Sequence, residues 1–155
     1  MARKMKFASL MLVCLMATVF FSCKDDKDEP KKDGVAAEVA GSYTGDMVST
    51  VMGQTFNFND LTFVITAEDE DDVSITIPAY KNGNMEFPEI KVQDVDVEFS
   101  NGIYTFETSE FSGTFESGTA YSGYIGGNLT NKILTLNIAY NIGAMPQMVC
   151  VFTSK

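Results

Sequence analysis

From residue 61 onward, apolar and polar residues alternate with a period of two in one run after another. Leu61, Phe63, Ile65 and Ala67 alternate with Thr62, Val64 and Thr66, and Val73, Ile75 and Ile77 with Ser74 and Thr76. Val95, Val97 and Phe99 alternate with Asp96 and Glu98, and Leu134, Leu136, Ile138 and Tyr140 with Thr135, Asn137 and Ala139. Successive side chains of a strand point to opposite faces, so each run carries one apolar and one wetter face. Antiparallel strands covering a core on one side have this pattern. Helical periodicity is hard to find after residue 40. The expectation is that Phe63, Ile75, Val97, Leu136 and Ile138 share one core, with Thr62, Ser74, Asp96, Thr135 and Asn137 closer to solvent.

Turn chemistry separates the runs. Asn101-Gly102 stands between Val95–Ser100 and Ile103–Thr108 and is the strongest short hairpin signal in the chain. Asn82-Gly83 breaks the chain after Tyr80, Glu68 to Asp72 is an all-acidic tip, and Asn131-Lys132 joins two further runs. Gly143 to Pro146 precedes a last run, Met148–Thr153. The pattern predicts eight to ten strands in a meander with short connections. Glycines at 113, 118, 123, 126 and 127 mark bulges or tight bends that let a sheet coil and close. A barrel is therefore expected in preference to a flat two-sheet sandwich.

The first thirty residues have a different pattern. Arg3, Lys4 and Lys6 precede an apolar run from Phe7 to Phe21, and Ser22-Cys23 follows at once. The run has about the length of a signal h-region and is short for a spanning helix of ~20 residues. A cysteine directly after a small residue at this place is the pattern of a lipoprotein signal peptide, over residues 1–22, with lipid attached to Cys23. The plainer alternative is an ordinary cleaved signal, or an uncleaved helix, with an incidental cysteine. Two or three acyl chains at about 0.8 kcal/mol per buried methylene hold a protein at a membrane without a basic patch. Lys24 to Asp33 holds four Lys and five acids with no aromatic or β-branched residue, too little apolar surface to fold. Residues 23–38 are read as a disordered acidic tether, reaching up to ~50 Å if extended, and residues 39–155 as the β-barrel domain.

Composition then removes functions. The chain past residue 22 keeps eight Lys against twenty-one Asp and Glu, a net charge of −13, and contains no Arg, His or Trp. A general base poised near neutral pH is usually His, bidentate phosphate clamping is Arg chemistry, and nucleic acid needs a positive face. Cys14 falls in the signal and Cys23 takes lipid, so Cys150 stands alone. No intrachain disulfide and no Cys/His metal cluster is expected. Cys150, in the apolar run Met148 to Phe152, is read as a buried structural thiol and not as a nucleophile.

Three groups of residues carry candidate chemistry. Glu68 to Asp72 offers clustered oxygens for a hard cation such as Ca²⁺, but lacks the glycine and spacing of an ion-wrapping loop, so a solvated tip is the plainer reading. Asp94, Asp96 and Glu98 lie on one strand face. Paired carboxylates do acid and base work in glycoside hydrolysis, yet an outward face that deters edge pairing explains them more simply. Finally, aromatic residues recur through the domain (Tyr43, Phe56, Phe58, Phe63, Tyr80, Phe87, Phe99, Tyr104, Phe106, Phe111, Phe115, Tyr121, Tyr124, Tyr140 and Phe152), and with Met47, Met52, Met85, Met145 and Met148 they could line an adaptable apolar cavity. An eight-stranded barrel is just wide enough either to fill with side chains or to hold one small ligand.

Two stretches resemble known families. Cys23-Lys24-Asp25-Asp26 resembles the start of surface-exported lipoproteins of the Bacteroidota. This implies a lipid-anchored, surface-exposed place at the cell outer membrane. Gly41-Ser42-Tyr43-Thr44-Gly45, the Leu61–Ile65 and Val73–Ile77 strands, Met85 to Ile90, the Asn-Gly hairpin, Gly123–Leu129 and Ile133–Tyr140 together resemble the calycin-like β-barrel lipoproteins of that phylum, over residues 40 to 154. The resemblance implies a lipocalin-like antiparallel barrel of about eight strands and brings no catalytic motif. The expected function is a surface-anchored lipoprotein, not an enzyme, that binds a small hydrophobic or amphipathic ligand. The alternative is a non-catalytic structural or protein-interaction module with a solid barrel. No cofactor, metal or nucleic acid is expected, and the membrane is reached through Cys23.

Overall fold

A computed structural model of the protein describes residues 34–155. The signal at 1–22, Cys23 and the tether up to residue 33 lie outside the described residues. A short helix, α1 (Val35–Val39), is followed by β1 (Gly41–Val51), β2 (Gln54–Ala67), β3 (Asp72–Ile77), β4 (Tyr80–Asn82), β5 (Met85–Phe87), β6 (Ile90–Ser100), β7 (Ile103–Thr114), β8 (Ala120–Thr130), β9 (Ile133–Ile142) and β10 (Met148–Ser154). Eight strands close an all-antiparallel barrel in the order β1-β10-β9-β8-β7-β6-β3-β2, and β4 and β5 form a separate hairpin. Closure comes from the pairing of β1 with β10, from Gly45 opposite Ser154 to Val51 opposite Met148.

The alternating pattern sets which side faces in. Phe63, Ile75, Val97, Leu136 and Ile138 are all buried in one core, which Ile65, Phe106, Ile125, Leu134 and Phe152 complete. The Phe63 and Phe152 rings pack 4.2 Å apart across the interior. Thr62, Asp96 and Asn137 are exposed and Thr135 is half-buried. Two positions depart from the pattern. Ser74 is 0% exposed although it sits on the polar phase of β3. Its hydroxyl makes no well-formed hydrogen bond, but it lies close enough to the Glu68 carboxylate to lower that group's pKa, ahead of the Lys91 ammonium. Glu68 also pairs with Lys91 at 3.0 Å. Phe99, on the apolar phase of β6, is 53% exposed. It lies next to the turn, beyond the reach of the core, and packs on Tyr104 at 4.5 Å.

Curvature comes from bulges and glycines. The pairing shifts between Gly45 and Met47, between Val73 and Ile75, and between Phe106 and Ser109. The extra residues opposite the first two shifts include Asp60 and Asp94, each with φ of 55°; Asp tolerates the left-handed region. Lys155 bridges Asp46 and Asp60 at 3.0 Å each and fastens the first bulge. A Cβ at Gly45 would stand 2.1 Å from the Thr153 carbonyl oxygen, and one at Gly123 would stand 2.4 Å from that of Ala139. Adjacent strands therefore approach more closely there than any other residue permits. The hairpin at Asn101-Gly102 has φ of 53° and 82°, as a two-residue type I′ turn requires.

The two ends of the barrel differ. At one end α1 is a plug, with Ala36 and Val39 fully buried in the core. Ala36 N–H donates to the Glu70 carbonyl at 3.1 Å, the Tyr43 hydroxyl donates to the Val39 carbonyl at 2.8 Å, and the Tyr104 hydroxyl hydrogen-bonds Glu38. Residues 35–38, assigned from sequence to the tether, are thus part of the folded domain. The helix is only five residues long, too short to show a periodicity in the sequence. The other end, where β1 turns into β2 and β9 into β10, carries the β4–β5 hairpin and is the open mouth.

Candidate functional site

A pocket of about 340 Å³ opens at the mouth. Three pieces of chain build it. The β1–β2 hairpin supplies Ser49, Val51, Met52, Gln54, Phe56 and Phe58; the β4–β5 hairpin supplies Tyr80, Asn82, Met85 and Phe87; the connection into β10 supplies Met145 and Met148. The β4–β5 hairpin forms because Gly83, at φ 60°, permits the reversal after Asn82. It is held by its inner side: Tyr80 stacks on Phe87 at 4.6 Å and tilts against Phe58 at 4.7 Å. Met52 has the opposite character. It sits in the β1–β2 turn at φ 49° and is 82% exposed. Its left-handed backbone, followed by Gly53 at φ 78°, is what the two-residue turn between Val51 and Gln54 requires.

Beneath the pocket lies a small polar floor inside an otherwise apolar barrel. The Tyr80 and Tyr140 hydroxyls hydrogen-bond each other, and the Cys150 thiol donates to Ser49 Oγ at 3.3 Å. Burial pushes Tyr80, Tyr140 and Cys150 all above their ordinary values. These groups are therefore neutral at physiological pH, and the thiol is a poor nucleophile. No charged side chain lines the pocket. The pocket offers an apolar, deformable wall of methionine and aromatic side chains, with Ser49, Gln54 and Asn82 as its polar groups.

The residues singled out from sequence divide. Met52, Met85, Met145 and Met148 meet Phe56, Phe58, Tyr80 and Phe87 at the mouth, while the other eleven aromatic residues do not line this pocket: Phe63, Phe106, Tyr140 and Phe152, like Met47, are buried in the core, and Phe99 and Tyr124 are exposed. Cys150 is buried, as its apolar strand implies. The acidic tip does not converge on a point: Glu68 turns to Lys91, and Asp72 faces Asp96, whose hydrogen bond raises its pKa. Among the described residues no group of three or more His, Cys, Asp or Glu side chains is placed to hold a metal ion. Asp94, Asp96 and Glu98 are exposed on the outer wall, away from the mouth. Sequence reasoning missed Ser49, Val51, Gln54 and Asn82. Ser49 left a trace, as a polar residue on the inward phase between Met47 and Val51, but polar residues in hairpins carry no such mark.

Residues 39–153 match the family described as the calycin-like β-barrel domain. No curated protein matches the sequence significantly. The fold is similar to the crystal structure of a "putative outer membrane protein" from Bacteroides fragilis NCTC 9343, with a TM-score of 0.69 at 20% identity. The match covers 79% of this chain and 53% of that one, so the chain spans about half of the neighbour's length.

Proposed function

The chain belongs to the calycin-like β-barrel domain family, and from that premise we propose that it is a lipoprotein, anchored through Cys23 at the outer membrane and exposed at the cell surface, whose barrel mouth binds a small hydrophobic or amphipathic ligand without catalysis. The mouth pocket carries this reading. Its volume falls within the ~300–1,000 Å³ typical of small-molecule sites, and its walls are uncharged and largely apolar in a chain of net charge −10. The interior below is filled, so the ligand sits between the hairpins and not along the barrel axis. Unlike a membrane-spanning barrel, whose polarity is the reverse, this one has an apolar interior, and its charged side chains lie outside, beside a few exposed apolar residues such as Val48, Val149 and Val151. Attachment to a membrane through lipid fits that polarity, as does the Bacteroides neighbour's description. Helix α1 enters the barrel at the plugged end, opposite the mouth.

The test uses the full-length Cys23→Ala chain and the neutral apolar fluorophore N-phenyl-1-naphthylamine. Saturable binding is expected, weakened about tenfold or more by Met52→Glu or Met85→Glu, because a carboxylate at the mouth must be desolvated. Binding that ignores both substitutions would remove the mouth from the proposal. The filled barrel core would then favour the second reading, a non-catalytic structural or interaction module.

A further inference from the structure

A second concavity lies on the outside of the barrel, separated from the mouth by the 143–147 connection. Two adjoining hollows of about 350 and 370 Å³ share Ser112, Ser122 and Asn141. These three residues form one cross-strand row over β7, β8 and β9, since Ser112 pairs with Ser122 and Ser122 with Asn141. The row points outward, and its two serines are small, so the wall is indented there. The next row down places Glu110 opposite Tyr124. Tyr124 is 46% exposed, a ring lying open on the wall, and Gln147 closes the side nearest the mouth. The Asn141 amide N–H donates to the Met145 carbonyl at 3.4 Å, which leaves its own carbonyl oxygen free to accept from a ligand.

We propose that this groove binds a neutral saccharide. The lining selects for that chemistry by what it contains and by what it lacks. It holds hydroxyl and amide groups, one carboxylate, the open Tyr124 ring and the half-buried Tyr121 ring, and no Lys. A sugar ring presents hydroxyls at its edge and C–H groups on its face. The edge suits Ser112, Ser122, Asn141 and Gln147, with the Glu110 carboxylate as the strongest acceptor for a hydroxyl pair. The face suits the Tyr124 ring. An anionic ligand would meet Glu110 and the negative field of the whole chain with no cation to pair it. An apolar ligand would leave the polar row unpaired. Three strands spaced by about 4.8 Å give the row a span of roughly 10 Å, long enough to engage more than one sugar unit of a chain lying across the strands.

The site is independent of the mouth pocket, and the experiment separates them. The wild-type full-length chain, in a polyether detergent that carries no sugar, is run on native gels containing starch, mannan or xyloglucan, with polygalacturonate as the anionic comparison. Retardation by at least one neutral polysaccharide is expected, without retardation by polygalacturonate. Tyr124→Ala and Glu110→Gln should each weaken it about tenfold, with circular dichroism unchanged because both residues are on the surface, while Met52→Glu at the mouth should leave it intact. Free mobility in all three neutral gels, retardation by polygalacturonate alone, or a Tyr124→Ala chain held as strongly as wild type would overturn the proposal.

Discussion

Tyr80 and Tyr140 are buried, neutral, and satisfied chiefly by one another. Either hydroxyl left alone would be a buried polar group without its partner, at a cost of about 1–3 kcal/mol, whereas removing both leaves nothing unpaired. Tyr80→Phe and Tyr140→Phe should each lower stability at pH 7 by that order, and the double variant should be less destabilised than the sum, as read from urea midpoints. The same groups set an alkaline limit. Burial raises the folded-state pKa of Tyr80, Tyr140 and Cys150, so the unfolded chain loses their protons first. Their contribution is complete below the unfolded values, about 8.5 for Cys and about 10 for Tyr, and is lost as pH rises beyond them. Wild-type stability should fall from about pH 9 upward, more steeply than that of the double variant. Equal slopes would show that these hydroxyls are not the groups that titrate. None of this was legible in the sequence, where Tyr80 and Tyr140 stand sixty positions apart in unrelated strands.

At the scale of the element, alternation was a reliable guide because a strand with one buried face has no freedom of register. Leu136→Ala should cost ~2–5 kcal/mol, since Leu136 is fully buried in a filled interior. Thr135→Ala, one residue away on the half-buried outer phase, should stay within about 0.5 kcal/mol. Thermal denaturation of the pair measures the difference, and a near-neutral Leu136→Ala would reveal loose packing below the mouth. The glycines of β8 carry information that alternation cannot. Gly123→Ala places a methyl group against the Ala139 carbonyl oxygen and the Tyr140 Cβ, and neither can move without displacing β9. A loss of about 1–3 kcal/mol is expected. The failures at this scale also have physical causes. Ser74 sits at the bulge where β3 meets β6 and beside the Glu68 carboxylate, long-range arrangements no local pattern records. Phe99 escapes the core because β6 runs on past it. Helix α1 is only five residues long, too short to show periodicity.

On the scale of the molecule, the barrel has a plugged end, where the chain enters, and an open end, where the methionine and aromatic side chains gather. Replacing Cys23 by Ala should release the protein from the membrane fraction while its circular dichroism spectrum stays that of a β-barrel, because the closed barrel and its core are built from residues 34–155. Membrane fractionation unchanged by the substitution would remove Cys23 as the anchor. The sequence by itself determined the fold class, the inward set of strand residues, the hairpin at Asn101-Gly102 and the absence of His and Arg past residue 22. These follow from local chemistry: the two-residue period of a strand, the left-handed turn that Asn-Gly favours, and composition. Only the tertiary structure decided between a filled barrel and a hollow one, since both require the same apolar residues at the same phase. It also decided which methionines meet at the mouth, that Ser49 and Cys150 share its floor, and that Ser112, Ser122 and Asn141 fall in one row. Those outcomes depend on register between strands far apart in the chain, and register is fixed by bulges and closure, which belong to the whole sheet and to no single strand.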